Sequence, residues 1–197
     1  MIKKLHILKS KLVLLVLMIL ISSVSFSQVT FTANPTDAQI TTALTGTGLT
    51  ISAPVLVSGS RSQQIATFTN GIAGAGLKID KGVMFSTGNV TQNLTNKNSA
   101  TFQSDNPSGN YSDPDLTAIT GAARYNPAVY RFTVTLGLTT TAIRLSYQFA
   151  SEEYPDFVGS GFNDAFGFFV TGPGITGTAN MARLPTNNKV TTINNIN

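Results

Sequence analysis

The sequence predicts an all-β domain of antiparallel strands, and three observations lead to this fold class. Beyond residue 27 the chain is rich in Thr, Ser, Asn and Gly. Its β-branched and aromatic residues occur in short runs, most of them with a period of two, and Gly, Pro or Asn separates the runs. This composition is typical of strands joined by turns. Two packed antiparallel sheets, as a β-sandwich of jelly-roll type with one short N-terminal helix, account best for the pattern.

The first 27 residues predict a cleaved secretory signal peptide. Four lysines between residues 3 and 11 precede the apolar run Leu12–Ile21, and Ser25 and Ser27 occupy the −3 and −1 positions of a signal-peptidase site. The apolar run is roughly half the ~20 residues that a bilayer span needs, and the chain has no cysteine for lipid attachment. We therefore expect one secreted or cell-surface domain over residues 28–197, with no integral membrane span after cleavage.

A short helix is predicted near the start of this domain. Thr36 is a candidate N-cap, and Gln39 stands three residues later as in a capping box. Ile40 and Leu44 share one helical face, and Gly46 is expected to end the helix.

Strands are predicted to follow over residues 49–57, 64–69 and 77–86. Pro54 interrupts the first of them, which indicates an edge strand or a bulge because proline donates no ladder hydrogen bond. The long polar stretch from Asn89 to about Pro114 has almost no periodicity and predicts a surface loop.

The clearest alternation lies in residues 130–136 and 143–149. In both segments every second residue is apolar, which predicts one buried and one solvated face. The link 138–141 is short, so the two segments are expected to pair as a hairpin. Residues 165–171 have little polar face and predict a central strand covered on both sides, after which Pro173 and Gly174 turn the chain.

Charge and composition exclude several function classes. The chain has 13 Lys and Arg against 9 Asp and Glu, but four of the lysines lie in the signal peptide, so residues 28–197 have no net charge. A neutral domain has no general attraction for phosphate backbones, so nucleic acid is not an expected partner. The only histidine is His6, in the signal peptide, and cysteine is absent. These absences remove Ser-His-Asp and Cys-His catalysis, and zinc sites built on thiolate or imidazole.

Six of the nine acidic residues fall in two places and form the candidate site. Together with one amide they make the following set of oxygen donors: Asp113, Asp115, Glu152, Glu153, Asp156, Asn163 and Asp164. One interpretation is structural, with carboxylates capping backbone N–H groups in turns or pairing with Arg124 and Arg144. A second is a calcium site, because calcium takes about six to eight oxygen ligands in irregular geometry. A cation would also offset the repulsion among so many like charges.

A third interpretation is acid–base catalysis by a carboxylate pair, as in glycosidases. Glu152 and Glu153 are adjacent, so in a strand they point to opposite faces and cannot flank one bond. Glu153 with Asp164 or Asp115 remains a candidate pair, although the sequence favours a non-enzymatic domain.

Several motifs resemble the choice-of-anchor L domain family, in the order in which that family has them. The resemblance covers roughly Thr36 to the end of the chain. It rests on the stretch from Phe149 to Gly174 (FASEEYPDFVGSGFNDAFGFFVTGPG) and on these shorter segments: Gln64–Asn70, Gly82–Gly88, Asp113–Leu116, Ala182–Pro185 and Thr192–Ile196.

The resemblance implies a secreted or surface module of a kind common in Bacteroidota. Such modules often occur in large proteins with type IX secretion or gliding-motility-associated C-terminal regions. Family domains typically continue with further strands, so we expect the domain to be incomplete at its C-terminal end.

The favoured interpretation of function is a non-catalytic extracellular module for adhesion, display or matrix building, with possible stiffening by calcium. Its expected partners are cell-surface or matrix components, including glycans. The alternative is a carbohydrate-binding or weakly hydrolytic module, since Tyr154, Phe157 and Phe162 interleave with the acids and could stack on sugars. A buried convergence of carboxylates favours calcium, whereas an exposed aromatic face favours a glycan.

Overall fold

A computed structural model describes residues 28–90, 112–121, 125–151 and 153–196. Over these residues the chain is mostly strands with a few short helices, and every strand pairing is antiparallel, which confirms the predicted fold class. The packing of two sheets as a sandwich stays a prediction. The signal peptide and most of the predicted loop 89–114 lie outside the described residues.

Nine strands are described, and four helices and a final 3-10 turn accompany them. The strands are β1 Thr30–Ala33, β2 Leu49–Ser58, β3 Ile65–Thr69, β4 Gly82–Phe85, β5 Val129–Leu136, β6 Ala165–Phe166, β7 Phe169–Gly172, β8 Ile175–Asn180 and β9 Thr191–Thr192. The helices are α1 Asp37–Leu44, α2 Arg61–Gln64, α3 Gly71–Ala75 and α4 Pro114–Thr120, and the 3-10 turn is Ile193–Asn195. The strands form a three-stranded sheet in the order β1-β3-β4 and the pairs β2-β5, β6-β9 and β7-β8.

The predicted N-terminal helix is α1, and its start has the predicted chemistry. The Thr36 N–H donates to Gln39 Oε1 at 2.8 Å, and the Gln39 N–H donates to Thr36 Oγ1 at 3.3 Å. This reciprocal pair is a capping box, which satisfies two N–H groups that the first helical turn leaves unpaired. Ile40 is fully buried, and α1 lies against β2, β3 and β4. Three further short helices, α2, α3 and α4, accompany it in the described residues.

Strand β2 contains the irregularity that Pro54 predicts. The pairing with β5 passes from Ser52–Thr133 to Val55–Arg131, so two residues of β2 oppose one residue of β5. Ala53, inside this bulge, has a φ of 48°. The bulge places Pro54 where no ladder hydrogen bond is needed.

The predicted hairpin between residues 130–136 and 143–149 was wrong. The first segment is β5, but its ladder partner is β2, which comes about 80 residues earlier. The link after β5 is fastened to the start of β2, because the Gly137 N–H and the Thr140 hydroxyl both donate to the Gly48 carbonyl, at 2.8 and 2.7 Å. The chain leaves the sheet there, and residues 142–150 belong to no strand.

Two other predicted strands are shorter than expected. Residues 77–86 contain only the four residues of β4. Residues 165–171 divide into β6 and β7, and their half-buried residues do not form one central strand covered on both sides. The division occurs where the Phe168 N–H donates to Asn180 Oδ1 at 3.1 Å, so that β6 pairs with β9 and β7 pairs with β8. The turn at Pro173 and Gly174 is confirmed, since it joins β7 to β8.

The buried side chain of Gln64 holds three parts of the fold together. Its Oε1 accepts from the Ser60 N–H at 2.7 Å, and its Nε2 donates to the carbonyls of Ser86 at 3.1 Å and Asn126 at 2.9 Å. Gln64 is 0 % exposed, so water cannot reach its amide group and these three bonds satisfy it. Gly59 must remain glycine here, because its φ is 102° and a Cβ would lie 2.7 Å from Gln64 Oε1.

We expect Gln64→Leu to lower the free energy of unfolding by about 2–5 kcal/mol. The substitution keeps most of the side-chain volume but leaves one buried N–H and two carbonyls without this partner, and each lost partner costs about 1–3 kcal/mol. Urea unfolding followed by circular dichroism measures the change.

Gln39→Leu is the matched control, because Gln39 lies in the exposed capping box. It should cost no more than about 1 kcal/mol, the usual value of a cap. Equal losses in the two variants would contradict the central role assigned to Gln64.

Candidate functional site

The first two candidate acids lie at the start of helix α4. Asp113 is its N-cap, and Asp113 Oδ1 accepts from the N–H groups of Asp115 at 3.0 Å and Leu116 at 2.9 Å. Pro114 occupies the first helical turn, and Gly121 ends the helix with a φ of 67°. The sequence analysis did not predict this helix, although Asp, Pro and Gly at these positions are typical of a helix. Asp113 therefore has a capping role.

Ser151 connects two of the other candidate acids. Its hydroxyl donates to Asp164 Oδ2 at 2.9 Å and accepts from the Glu153 N–H at 3.2 Å. Asp164 precedes β6, and its backbone carbonyl accepts from the Ile193 N–H at 3.2 Å. The carboxyl group is thus fixed between the end of the 142–151 segment and the chain that follows β9.

Burial is the main influence on the ionisation of Asp164. Removal from water raises the pKa of its carboxyl above the ordinary value of an aspartate, and the hydrogen bond from Ser151 opposes that rise. A carboxylate in such a place is disfavoured unless positive charge or further donors approach it. A bound cation would stabilise the ionised form of this carboxyl group.

Two of the remaining candidate residues, Asn163 and Asp156, are described. Asn163 Oδ1 accepts from the Asn194 N–H at 3.2 Å, and Asp156 is exposed. Glu152 lies outside the described residues. Among the residues that are described, no three acidic side chains come close enough to hold a metal ion together.

The expected pairing of these acids with arginine is not seen in the described part of the chain. Arg124 lies outside it, and Arg144 forms no ion pair within it. The ion pair that is present joins Arg61 to Asp37.

Residues 153–163, called here the aromatic loop, carry exposed rings. Phe162 is 61 % exposed and Tyr154 is 45 % exposed. The rings of Phe157 and Phe162 meet edge to face with centroids 5.4 Å apart, a favourable aromatic geometry. Phe157 is half-buried, and its ring packs against the exposed ring of Phe162.

Asn194 fixes the aromatic loop at three points. Its Oδ1 accepts from the Gly159 N–H at 2.6 Å, its Nδ2 donates to the Ser160 carbonyl at 3.5 Å, and its backbone N–H donates to Asn163. The loop is therefore anchored to the last turn of the described chain, which the sequence alone did not predict.

The sequence analysis also missed a polar cluster that joins two helices to β5. Arg61 pairs with Asp37, donates to the Pro35 carbonyl at 3.1 Å and lies 5.8 Å above the centroid of the Tyr130 ring. The Tyr130 hydroxyl donates to Asp37 Oδ1 at 2.8 Å. A tyrosine on the buried face of a strand needs such a partner, but nothing in the sequence identifies one 93 residues away.

The cluster lowers the pKa of Asp37 and raises the pKa of Tyr130. The hydrogen bond from Tyr130, followed by that from Arg61, lowers the pKa of Asp37. Burial, followed by the bond to Asp37, raises the pKa of Tyr130 to about 12. At neutral pH Asp37 is therefore a carboxylate and Tyr130 a neutral phenol that donates to it.

Comparison with known proteins gives one family. The family model of the choice-of-anchor L domain matches residues 25–197. No curated protein and no solved structure matches the chain. In the part of the chain that is described, no helix has both the length and the apolar character needed to cross a bilayer.

We expect Asp164→Asn to remove a pH-dependent loss of stability. Since the folded-state pKa of Asp164 is raised, the native state holds this proton more tightly than the unfolded chain does. The contribution of Asp164 to the free energy of unfolding therefore falls as pH rises from about 3.8 through the raised pKa. Urea unfolding in EDTA across this range should show wild type falling relative to Asp164→Asn as pH rises.

Asp156→Asn is the control, because Asp156 is exposed in the same loop. The difference between wild type and this control should stay constant with pH. A difference between wild type and Asp164→Asn that does not vary with pH would show that burial does not perturb Asp164.

Proposed function

Since the chain belongs to the choice-of-anchor L domain family, we propose that it is a non-catalytic adhesion module of a secreted or surface-exposed protein. Family membership indicates the surface or secreted setting, and the adhesive role is our finer proposal. The observation that carries this role is the aromatic loop, in which exposed rings stand on an anchored backbone. Its partners are components of the cell surface or the extracellular matrix.

The hydrogen bonds that anchor the backbone of the aromatic loop favour binding of a partner. A loop that is already fixed loses less conformational entropy when it meets a partner. The three contacts of Asn194 hold Gly159, Ser160 and Asn163, while Tyr154 and Phe162 extend into solvent. Exposed aromatic groups supported in this way are typical of interaction surfaces.

Glycans are the partner class that we favour. The apolar face of a sugar ring packs against an aromatic side chain, and polar groups around the ring fix its orientation. The aromatic loop offers both features, because the exposed carboxylate of Asp156 lies between Tyr154 and Phe162 in the sequence. The balanced charge of residues 28–197 also favours a neutral polymer over a strongly charged one.

Calcium is a further, finer part of the proposal. Support comes from the carboxyl group of Asp164, whose pKa burial raises and which a nearby cation would stabilise in its ionised form. Glu153 is connected to Asp164 through the Ser151 hydroxyl, and Asn163 directly precedes Asp164, so both offer further oxygen ligands. In this proposal calcium stiffens the base of the aromatic loop and takes no part in a reaction.

We expect Phe162→Ala and Tyr154→Ala each to weaken binding to extracellular polysaccharide. An aromatic contact contributes about 0.5–1.5 kcal/mol beyond its buried area, so loss of one ring should weaken binding by up to about tenfold. Sedimentation with insoluble polysaccharides, including the matrix of the producing cells, measures the bound fraction.

Met181→Ala provides the control, because Met181 is 62 % exposed but lies outside the aromatic loop. It should bind as wild type does. Equal binding by all four proteins would contradict the role of the aromatic loop in adhesion.

We expect calcium to raise the melting temperature of the protein after removal of metal with EDTA. A ligand at 100 times its Kd adds about 2.7 kcal/mol, and each kcal/mol moves the midpoint of a domain of this size by roughly 2–4 °C. The rise should saturate with calcium and be lost in Asp164→Ala.

The variant Asp113→Ala distinguishes the loss of a calcium ligand from the loss of a helix cap. It should lower the melting temperature equally with and without calcium, because Asp113 caps α4. A cooperative melt of the wild type that does not respond to calcium would contradict calcium binding and leave the adhesive role untouched.

A further inference from the structure

Residues 142–150, called here the lone segment, have the sequence of a strand but pair with no strand among the described residues. Apolar Ile143, Leu145, Tyr147 and Phe149 alternate with Arg144, Ser146 and Gln148. The described chain runs through these residues without a helix, turn, bend or ladder. The sequence pattern therefore suits β-pairing, and the described residues supply no pairing partner.

The backbone of the lone segment has no backbone partner among the described residues. Within the described part of the protein, none of its N–H or carbonyl groups forms a backbone hydrogen bond. Seven of its nine residues are exposed, including Ile143 at 48 % and Leu145 at 37 %, while Tyr147 and Phe149 are half-buried. A row of unpaired backbone groups beside exposed apolar side chains is a template for another strand.

Side chains hold the lone segment in place at its C-terminal half. The Tyr147 ring lies 4.8 Å from that of Phe166, and its hydroxyl is 2.9 Å from Thr191 Oγ1. Gln148 Oε1 accepts from the Lys78 N–H at 3.1 Å. The edge is thus presented by a fixed segment, which lowers the entropic cost of adding a strand.

We propose that the lone segment pairs antiparallel with the lone segment of a second copy of this chain. The interaction is β-strand addition across a two-fold axis, which closes after two copies. It goes beyond the proposed adhesive role, since it uses a different surface.

The sequence of the lone segment sets the register of this pairing. Centred on Ser146, all nine residues pair, and Leu145 then lies opposite Tyr147 while Ile143 lies opposite Phe149. These are aromatic–aliphatic cross-strand pairs, which stabilise sheets. A shift by one residue in the cross-strand partner would place apolar side chains opposite polar ones.

Charge supports a second copy as the partner. Arg144 is the only charged residue of the lone segment, and in this register it lies opposite the neutral Gln148 of the other copy. A register centred on Arg144 would oppose two guanidinium groups, which is destabilising. The segment is therefore self-complementary in both its apolar and its polar positions.

Cysteine cross-linking tests the proposal directly, because the native chain contains no cysteine. In the full chain, Ser146→Cys places one thiol opposite its symmetry mate, at a Cα separation of roughly 4.5–5.5 Å that suits a disulfide. We expect a covalent dimer under mild oxidation and a concentration-dependent dimer of the wild type in sedimentation equilibrium. Circular dichroism checks that each variant is folded.

A mixture of variants tests the register. Arg144→Cys and Gln148→Cys should cross-link when mixed but not alone, because like positions lie roughly 13 Å apart along the pair. Thr135→Cys, on the exposed face of the paired strand β5, is the background control.

Two results would overturn the proposal. One is a wild type that stays monomeric at all concentrations, with no cross-linking of Ser146→Cys above the Thr135→Cys background. The other is protection of amides 142–150 from hydrogen exchange that does not vary with protein concentration, since that would show pairing within one chain.

Discussion

The amide side chain of Gln64 controls how three separate parts of this domain meet. The side-chain oxygen accepts a hydrogen bond from the turn before α2. The side-chain nitrogen donates to the end of β4 and to the segment before β5. Gln64 is fully buried, so water does not reach its amide group. Unpaired polar groups in such a place are costly, so the three segments are constrained to one arrangement. The glycine at position 59 has room for nothing larger because of the same contact.

A second polar cluster extends this arrangement to the β2-β5 sheet. Asp37 and Arg61 come from α1 and α2, and Tyr130 comes from β5, so one ion pair and one phenol hydrogen bond join helices to a distant strand. The domain has no disulfide bonds. Polar contacts between distant segments therefore accompany a small set of fully buried apolar side chains in fixing the relative positions of its elements.

Two surfaces result from this framework, and they differ in kind. The aromatic loop presents side chains, with its backbone held by Asn194. The lone segment presents its backbone, with the side chains of Tyr147 and Gln148 in contact with the rest of the domain. The first surface suits a ligand with an apolar face, and the second suits another strand. A module with both could attach to a matrix and associate with a copy of itself.

The sequence by itself determined the fold class, the α1 capping box, the β2 bulge and the turn at Pro173 and Gly174. Each depends on residues close in the chain, whose backbone preferences and hydrogen bonds are local. Only the tertiary structure decided that β5 pairs with β2 and that Asp164 is bound by Ser151. It also decided that Asn194 anchors the aromatic loop. Alternation of apolar residues shows that a segment can pair, but its partner is chosen by contacts between residues far apart in the sequence.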